Sequence, residues 1–127
     1  MPWRTGNTFH CRDVGSKAHL YIIICQDGDS PMECVIVNVT TIHNDLCDKS
    51  CVLDKGDHPF IKQPSSVLYR KAEIAKVEAL ERAARRGDIW TDQDIDPRVL
   101  VRVQQAALRS TMVSGDVKAF LKKHSGV

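Results

Sequence analysis

The chain has 127 residues, of which 43% are hydrophobic and 27% are charged, and this mixture predicts one globular domain with its own core across residues 1–127. The net charge of only +2 excludes a strongly basic nucleic-acid-binding chain, so any nucleic-acid site has to be a local patch. No apolar run approaches the roughly 20 residues of a membrane helix, and the start lacks the apolar segment of a signal peptide. We therefore expect a cytoplasmic protein with no membrane segment.

The first half of the chain has the pattern of short β-strands. A short strand is expected around Thr8 to Arg12, and the continuous apolar run from His19 to Cys25 predicts a buried strand. The turn at Asp27–Pro31 is short, so the next strand, at 34–40, should pair with it in antiparallel fashion. Tight turns between short strands predict a small antiparallel barrel. Its remaining strands are expected at 50–53, 59–61 and 65–69.

The second half of the chain favours helices. Glu78–Arg86 is rich in good helix formers. Asp96–Pro97 has the residues of a helix cap and first turn, and Ser114 can cap a last short helix. Strands followed by helices predict an α+β domain, with a barrel over about 8–76 and a helical part over about 77–123.

This order of elements resembles the PemK/MazF family of bacterial toxins, which are endoribonucleases built on an SH3-like barrel. The similarity is carried by four segments: Leu20–Ile24, an apolar strand; Val37–Thr41, a strand that ends in threonine; Ser66–Ile74, a strand that runs on into a short helix; and Asp96–Val103, a C-terminal helix. Helical spacing alone allows the first helix to begin at Lys71, whereas the resemblance places its start near Val77.

The resemblance implies the toxin of a toxin–antitoxin system. Such a protein is a homodimer that cleaves RNA without a metal or another cofactor, and a partner antitoxin protein neutralises it. Cleavage without metal needs a base, an acid and donors to the phosphate. Histidine suits both proton roles, so we expect His19 and His58 to exchange protons in catalysis, with Asp57 as a carboxylate that orients or charges a partner.

Hydroxyl and basic side chains are the expected phosphate contacts. Thr40 matches the strand-end threonine of the family, so we place it in the catalytic set as a donor to a phosphate oxygen. Thr41, Lys17 and Arg70 are expected to bind RNA. Each of these sites also has a plain structural explanation, because threonines favour strands and an Asp-His pair favours a turn.

The residues also allow two other functions. Ser16–His19 stands where the family has a loop arginine, and this difference favours a non-catalytic barrel that binds protein or nucleic acid. His43, Cys47, Cys51 and His58 offer zinc ligands for a zinc-stabilised domain. Without an export signal, the cysteines are otherwise expected to be thiols.

Overall fold

The fold combines one antiparallel sheet with three α-helices. The structure is a computed structural model that describes residues 3–12, 19–42 and 48–126. Within these ranges the elements, in chain order, are β1 (Thr8–Cys11), β2 (His19–Gln26), β3 (Glu33–Thr41), β4 (Val52–Leu53), β5 (Ser65–Val67), a 3-10 turn (Tyr69–Lys71), β6 (Glu73–Lys76), α1 (Val77–Arg85), β7 (Ile89–Asp92), α2 (Pro97–Arg109) and α3 (Gly115–His124). Over these residues, none of the helices is long and apolar enough to cross a membrane.

The sheet has the strand order β4-β5-β3-β2-β1-β7, and β6 pairs with β3 beside β5. Every pair is antiparallel, including the predicted β2–β3 pair. The α+β class is therefore confirmed. Among the described strands the path ends at β4 and β7, so the sheet is open. The closed barrel that both the tight turns and the resemblance predicted is not confirmed.

The last two helices begin at the cap residues that the sequence predicted. The Asp96 side chain accepts a hydrogen bond from the backbone N–H of Arg98, and the Ser114 side chain accepts one from Val117. The first helix begins at Val77, directly after β6. That boundary agrees with the resemblance rather than with helical spacing alone.

Two elements differ from the sequence-based expectation. Residues 59–61 lie in a turn rather than a strand, because the backbone N–H of Ile61 donates to the carbonyl of His58 and that of Phe60 donates to the His58 ring. Strand β7 lies inside the part expected to be helical and pairs with β1. It is an edge strand whose stability comes from this distant pairing, which a local pattern does not reveal.

The two faces of the sheet pack against different helices. Leu20 and Ile22 of β2 belong to the core formed with α2 and α3, and we call this side the α2 face. Ile23 of β2 and Phe9 of β1 pack with α1 on the other side, the α1 face. Because successive strand residues point to opposite faces, the position of each polar residue along its strand decides which face it occupies.

Candidate functional site

A row of four side chains crosses one end of the sheet on its α1 face. Cys11 of β1 pairs with His19 of β2, and Thr40 of β3 pairs with Ser66 of β5. The β2–β3 register, continued by one residue, places His19 beside Thr40. Directly opposite residues share a face, with Cβ atoms roughly 4.5–5.5 Å apart. We call these four residues the strand-end row.

The strand-end row is accessible at its centre. His19 and Thr40 are both half-buried, whereas Ser66 is buried and its hydroxyl donates to the carbonyl of Asp48. Strands β1 and β3 both end at this edge, at Cys11 and Thr41. Lys17 lies outside the described residues. The structure thus brings together two of the four predicted catalytic residues, one imidazole and one hydroxyl.

His58 is buried and held by hydrogen bonds on both ring nitrogens. The backbone N–H of Phe60 donates to His58 Nδ1 at 3.0 Å, so Nε2 carries the ring proton. Nε2 lies 2.7 Å from the carbonyl oxygen of Gln93, to which it donates, and 3.3 Å from Thr8 Oγ1. Thr8 is opposite Ile22 and belongs to the α2 face. The structure therefore does not bring His58 to His19, which lies on the other face.

Asp57 connects its loop to α2. Its Oδ2 accepts a hydrogen bond from the backbone N–H of Asp54 at 2.8 Å, and its Oδ1 lies 3.4 Å from Nη1 of Arg102. Arg102 also donates to the carbonyl of Val52 at 3.1 Å. These contacts hold the 54–57 turn on α2, and none of them joins Asp57 to the ring of His58.

A second imidazole, which the sequence analysis did not single out, lies beside His58. His10 Nε2 is 2.6 Å from Asp92 Oδ2, and the backbone N–H of Gln93 donates to Asp92 Oδ1 at 2.6 Å. Burial raises the pKa of the Asp92 carboxyl, but the hydrogen bonds from His10 and from the Gln93 N–H outweigh it, so the pKa lies below its ordinary value. We call Thr8, His10, His58 and Asp92 the histidine cluster.

The histidine cluster was missed because its parts are far apart in the sequence. The pattern Thr8-x-His10 in a short strand places both side chains on one face, but Asp92 stands 82 residues further along the chain. Only the pairing of β7 with β1 brings the carboxylate to the imidazole. The available signal was therefore the strand alternation alone, without a partner for the histidine.

The two remaining predicted RNA contacts lie away from the centre of the row. Thr41, one residue beyond Thr40, is half-buried and borders a small cavity on the α2 face with Phe60 and Lys62. Arg70 is exposed on the 3-10 turn between β5 and β6. Thr41 is therefore a hydroxyl behind the row, on the other face of the sheet, and Arg70 is a cation on the connection that follows β5.

The residues suggested for zinc are only partly described. Cys51 is buried, and burial raises the pKa of its thiol, while both ring nitrogens of His58 have protein partners. His43 and Cys47 lie outside the described residues. In the part of the chain that the structure describes, no three His, Cys, Asp or Glu residues are grouped so that they could hold a metal ion.

Comparison with known proteins identifies a solved structure that shares the fold of this chain. No protein-family model matches the sequence, and no curated protein matches it. A solved structure of an endoribonuclease in complex with its cognate antitoxin from mycobacterial species is similar, with a TM-score of 0.52 and 12% sequence identity. The match covers 89% of this chain and 96% of that chain. At this identity the likeness establishes that the two chains share an α+β fold over nearly their whole length.

Proposed function

We propose that this protein is the toxin of a toxin–antitoxin system, an endoribonuclease that cleaves RNA without a metal. The observation that carries the proposal is the strand-end row, where the imidazole of His19 and the hydroxyl of Thr40 are neighbours on one accessible face. The fold shared with an antitoxin-bound endoribonuclease supports it. So does the resemblance of the sequence to the PemK/MazF toxins.

In the proposed reaction His19 is the general base. It removes the proton from a ribose 2′-hydroxyl, the 2′-oxygen forms a bond to phosphorus, and the bond from phosphorus to the 5′-oxygen breaks. The products are a 2′,3′-cyclic phosphate and a 5′-hydroxyl. The departing 5′-oxygen lies opposite the attacking one in an in-line displacement, and it takes a proton from water because His58 lies on the other face of the sheet. The hydroxide that forms is neutralised by the proton that His19 holds, which restores the neutral imidazole.

The remaining polar groups stabilise charge on the phosphate. Thr40 donates its hydroxyl hydrogen to a non-bridging oxygen, which gains negative charge as the 2′-oxygen attacks. Lys17 and Arg70 neutralise charge on the RNA backbone, and Thr41 contacts a neighbouring nucleotide. His58 and Asp57 hold the loop over the sheet and do not transfer protons.

The proposed assembly is a homodimer in the cytoplasm, neutralised by an antitoxin protein. The similar endoribonuclease is itself in complex with its cognate antitoxin. A second function, a non-catalytic module that binds protein or nucleic acid, is favoured by one feature of the sequence. Ser16–His19 has no arginine where the toxin family carries one.

RNA end mapping separates the two functions. Purified protein is incubated with a long RNA in the presence of EDTA, and both new ends at each cut are identified chemically. We expect cleavage that leaves 5′-hydroxyl and 2′,3′-cyclic phosphate ends, together with growth arrest when the protein is expressed without its antitoxin. Intact RNA and unimpaired growth would replace the toxin with the binding module.

A further inference from the structure

Two exposed aromatic rings flank the buried imidazole of His10 on the α2 face. Phe60 is 45% exposed and Trp90 is 43% exposed. Trp3, Phe9 and Tyr69 are buried by contrast. Large exposed aromatic side chains are candidates for contact with a ligand. We call Phe60, His10 and Trp90 the aromatic step.

Both exposed rings of the aromatic step pack against the buried imidazole of His10, which lies between them. Trp90 is the direct β7 partner of His10, and their ring centroids are 5.8 Å apart with the planes inclined by 30°. The ring centroid of Phe60 lies 4.5 Å from that of His10, at an inclination of 57°. His10 is anchored by Asp92, and Phe60 is anchored through the bond from its backbone N–H to His58. The step is therefore preorganised.

The aromatic step lies at the same end of the sheet as the strand-end row. His10 immediately precedes Cys11 of the row, but faces the other way. Phe60 borders a cavity with Thr41 and the exposed cation Lys62. A chain that leaves the row can thus pass over the edge of the sheet and reach the step, with a hydroxyl and a cation beside it.

The step also contains a polar atom that lacks a partner. His10 Nδ1 is buried and has no hydrogen bond in the described part of the protein. Because this atom is buried, a ligand on the exposed rings does not reach it, and the charge beside the step is the guide to the ligand. Of the charges near the step, the Asp92 carboxylate is engaged by His10, whereas Lys62 is exposed.

We infer that the aromatic step stacks a nucleobase of the RNA strand whose backbone is held at the strand-end row. The inference rests on the proposed function for the identity of its ligand. Stacking on an aromatic face tolerates any base and changes the affinity of single-stranded nucleic acid by roughly 5- to 100-fold per base. The step is therefore a binding subsite outside the cleaved bond.

Tryptophan fluorescence tests the step directly, because the chain has two tryptophans and only Trp90 is exposed. The titrant is a 2′-O-methyl RNA oligonucleotide, which lacks the nucleophile and is not cleaved. We expect quenching that persists in Trp3→Phe and disappears in Trp90→Phe. By anisotropy, Trp90→Ala and Phe60→Ala should each weaken binding roughly 5- to 100-fold. Trp90→Phe, which keeps a ring, and Met112→Ala, which changes another exposed apolar side chain, should bind like the unaltered protein.

The outcomes separate this inference from the proposed function. Absence of quenching in Trp3→Phe, or unchanged affinity in both alanine variants, overturns the stacking subsite even if the protein cleaves RNA. Quenching and weakened binding in a protein that leaves ordinary RNA intact support the subsite and overturn the ribonuclease. Circular dichroism melting of each variant verifies that it is folded before its affinity is compared.

Discussion

The strand-end row and the histidine cluster contain similar residue types in opposite circumstances. In the cluster two imidazoles and a hydroxyl are buried, while the carboxylate is partly exposed, and these groups are bonded mainly to one another or to the backbone of Gln93. The row has one imidazole and one hydroxyl at its centre, both half-buried. An imidazole with both nitrogens bonded inside the protein offers no position for a substrate proton. The comparison therefore favours the row over His58 for the proposed chemistry and predicts a structural role for His58.

The largest expected effect is on catalysis, in the row. In His19→Ala the general base is lost, so we expect RNA cleavage to fall about 10²- to 10⁴-fold. The melting temperature should change little, since His19 is half-buried at a strand end and surface substitutions usually stay within about 0.5 kcal/mol. Initial cleavage rates on a labelled RNA and a thermal melt measure the two quantities.

His124→Ala is the matched control for His19→Ala. His124 is also half-buried, but it lies in the last turn of α3, against the ring of Phe120. Its removal should leave the cleavage rate unchanged. If His19→Ala cleaves at the rate of the unaltered protein, the row is not the active site.

The next effect is on stability, in the cluster. His58→Ala removes the buried hydrogen bonds to Phe60 and Gln93 and leaves a cavity, so we expect a loss of about 2–4 kcal/mol in the free energy of unfolding. For a domain of this size that corresponds to a melting temperature lower by roughly 8–15 °C. Urea unfolding at 15 °C measures the loss, and the folded fraction should still cleave RNA.

A different result for His58→Ala would reverse the roles proposed for the strand-end row and the histidine cluster. An unchanged melting temperature with abolished cleavage would give His58 the proton-transfer role that the sequence suggested. The phenylalanine variant serves as a second probe, because it fills the volume without restoring the hydrogen bonds. It should recover only part of the lost stability.

The sequence predicts those elements that depend on neighbouring residues better than those that depend on residues far apart in the chain. The strand over His19–Gln26 and the caps at Asp96 and Ser114 follow from neighbouring residues, and the structure confirms them. Strand β7 does not follow, because four residues with mixed polarity become a strand only by pairing with β1. Helix caps and strongly apolar strands can therefore be predicted from the sequence, whereas an edge strand such as β7 cannot.

The same limit applies to the candidate site. His19 is predicted from its imidazole and Thr40 from its match to the strand-end threonine of the resembling family, and the pairing of the patterned strands β2 and β3 makes them neighbours. The position of His58 depends on which face its loop covers, and that is decided by bonds to Thr8 and Gln93 in distant parts of the chain. Residue type suggested catalysis for His58, but only the tertiary fold shows that its ring is fully engaged.

A smaller effect is expected for the hydroxyl of the row. Thr40→Val keeps a β-branched side chain in the strand and removes only the donor to phosphate, so cleavage should fall roughly 10- to 100-fold with little change in stability. Thr40→Ser should retain most of the activity. Thr41→Val, on the opposite face, should weaken RNA binding by a smaller factor than the factor by which Thr40→Val lowers the cleavage rate. If the two factors were equal, the different roles proposed for the two faces of the sheet would be wrong.

The smallest effect concerns the pH dependence of stability in the histidine cluster. The pKa of the Asp92 carboxyl is below its ordinary value in the folded protein: burial raises it, but hydrogen bonds from His10 and from the Gln93 N–H lower it further. Such a carboxyl stabilises the fold above its unfolded pKa of about 4, and that contribution is lost as the pH falls through the lower folded value. The side chain is 31% exposed, so the effect is modest.

Asp92→Asn tests this linkage. At pH 7 the variant should be less stable than the unaltered protein, and the difference should shrink as the pH falls from about 4 towards 2.5, because only the unaltered protein loses the ionised carboxylate. Urea unfolding at several pH values measures it. In a His10→Phe background the imidazole donor is absent, and the same comparison should show a weaker pH dependence. Parallel stability curves for the unaltered protein and the Asp92→Asn variant across this range would mean that the short His10–Asp92 contact adds no charge-dependent stability.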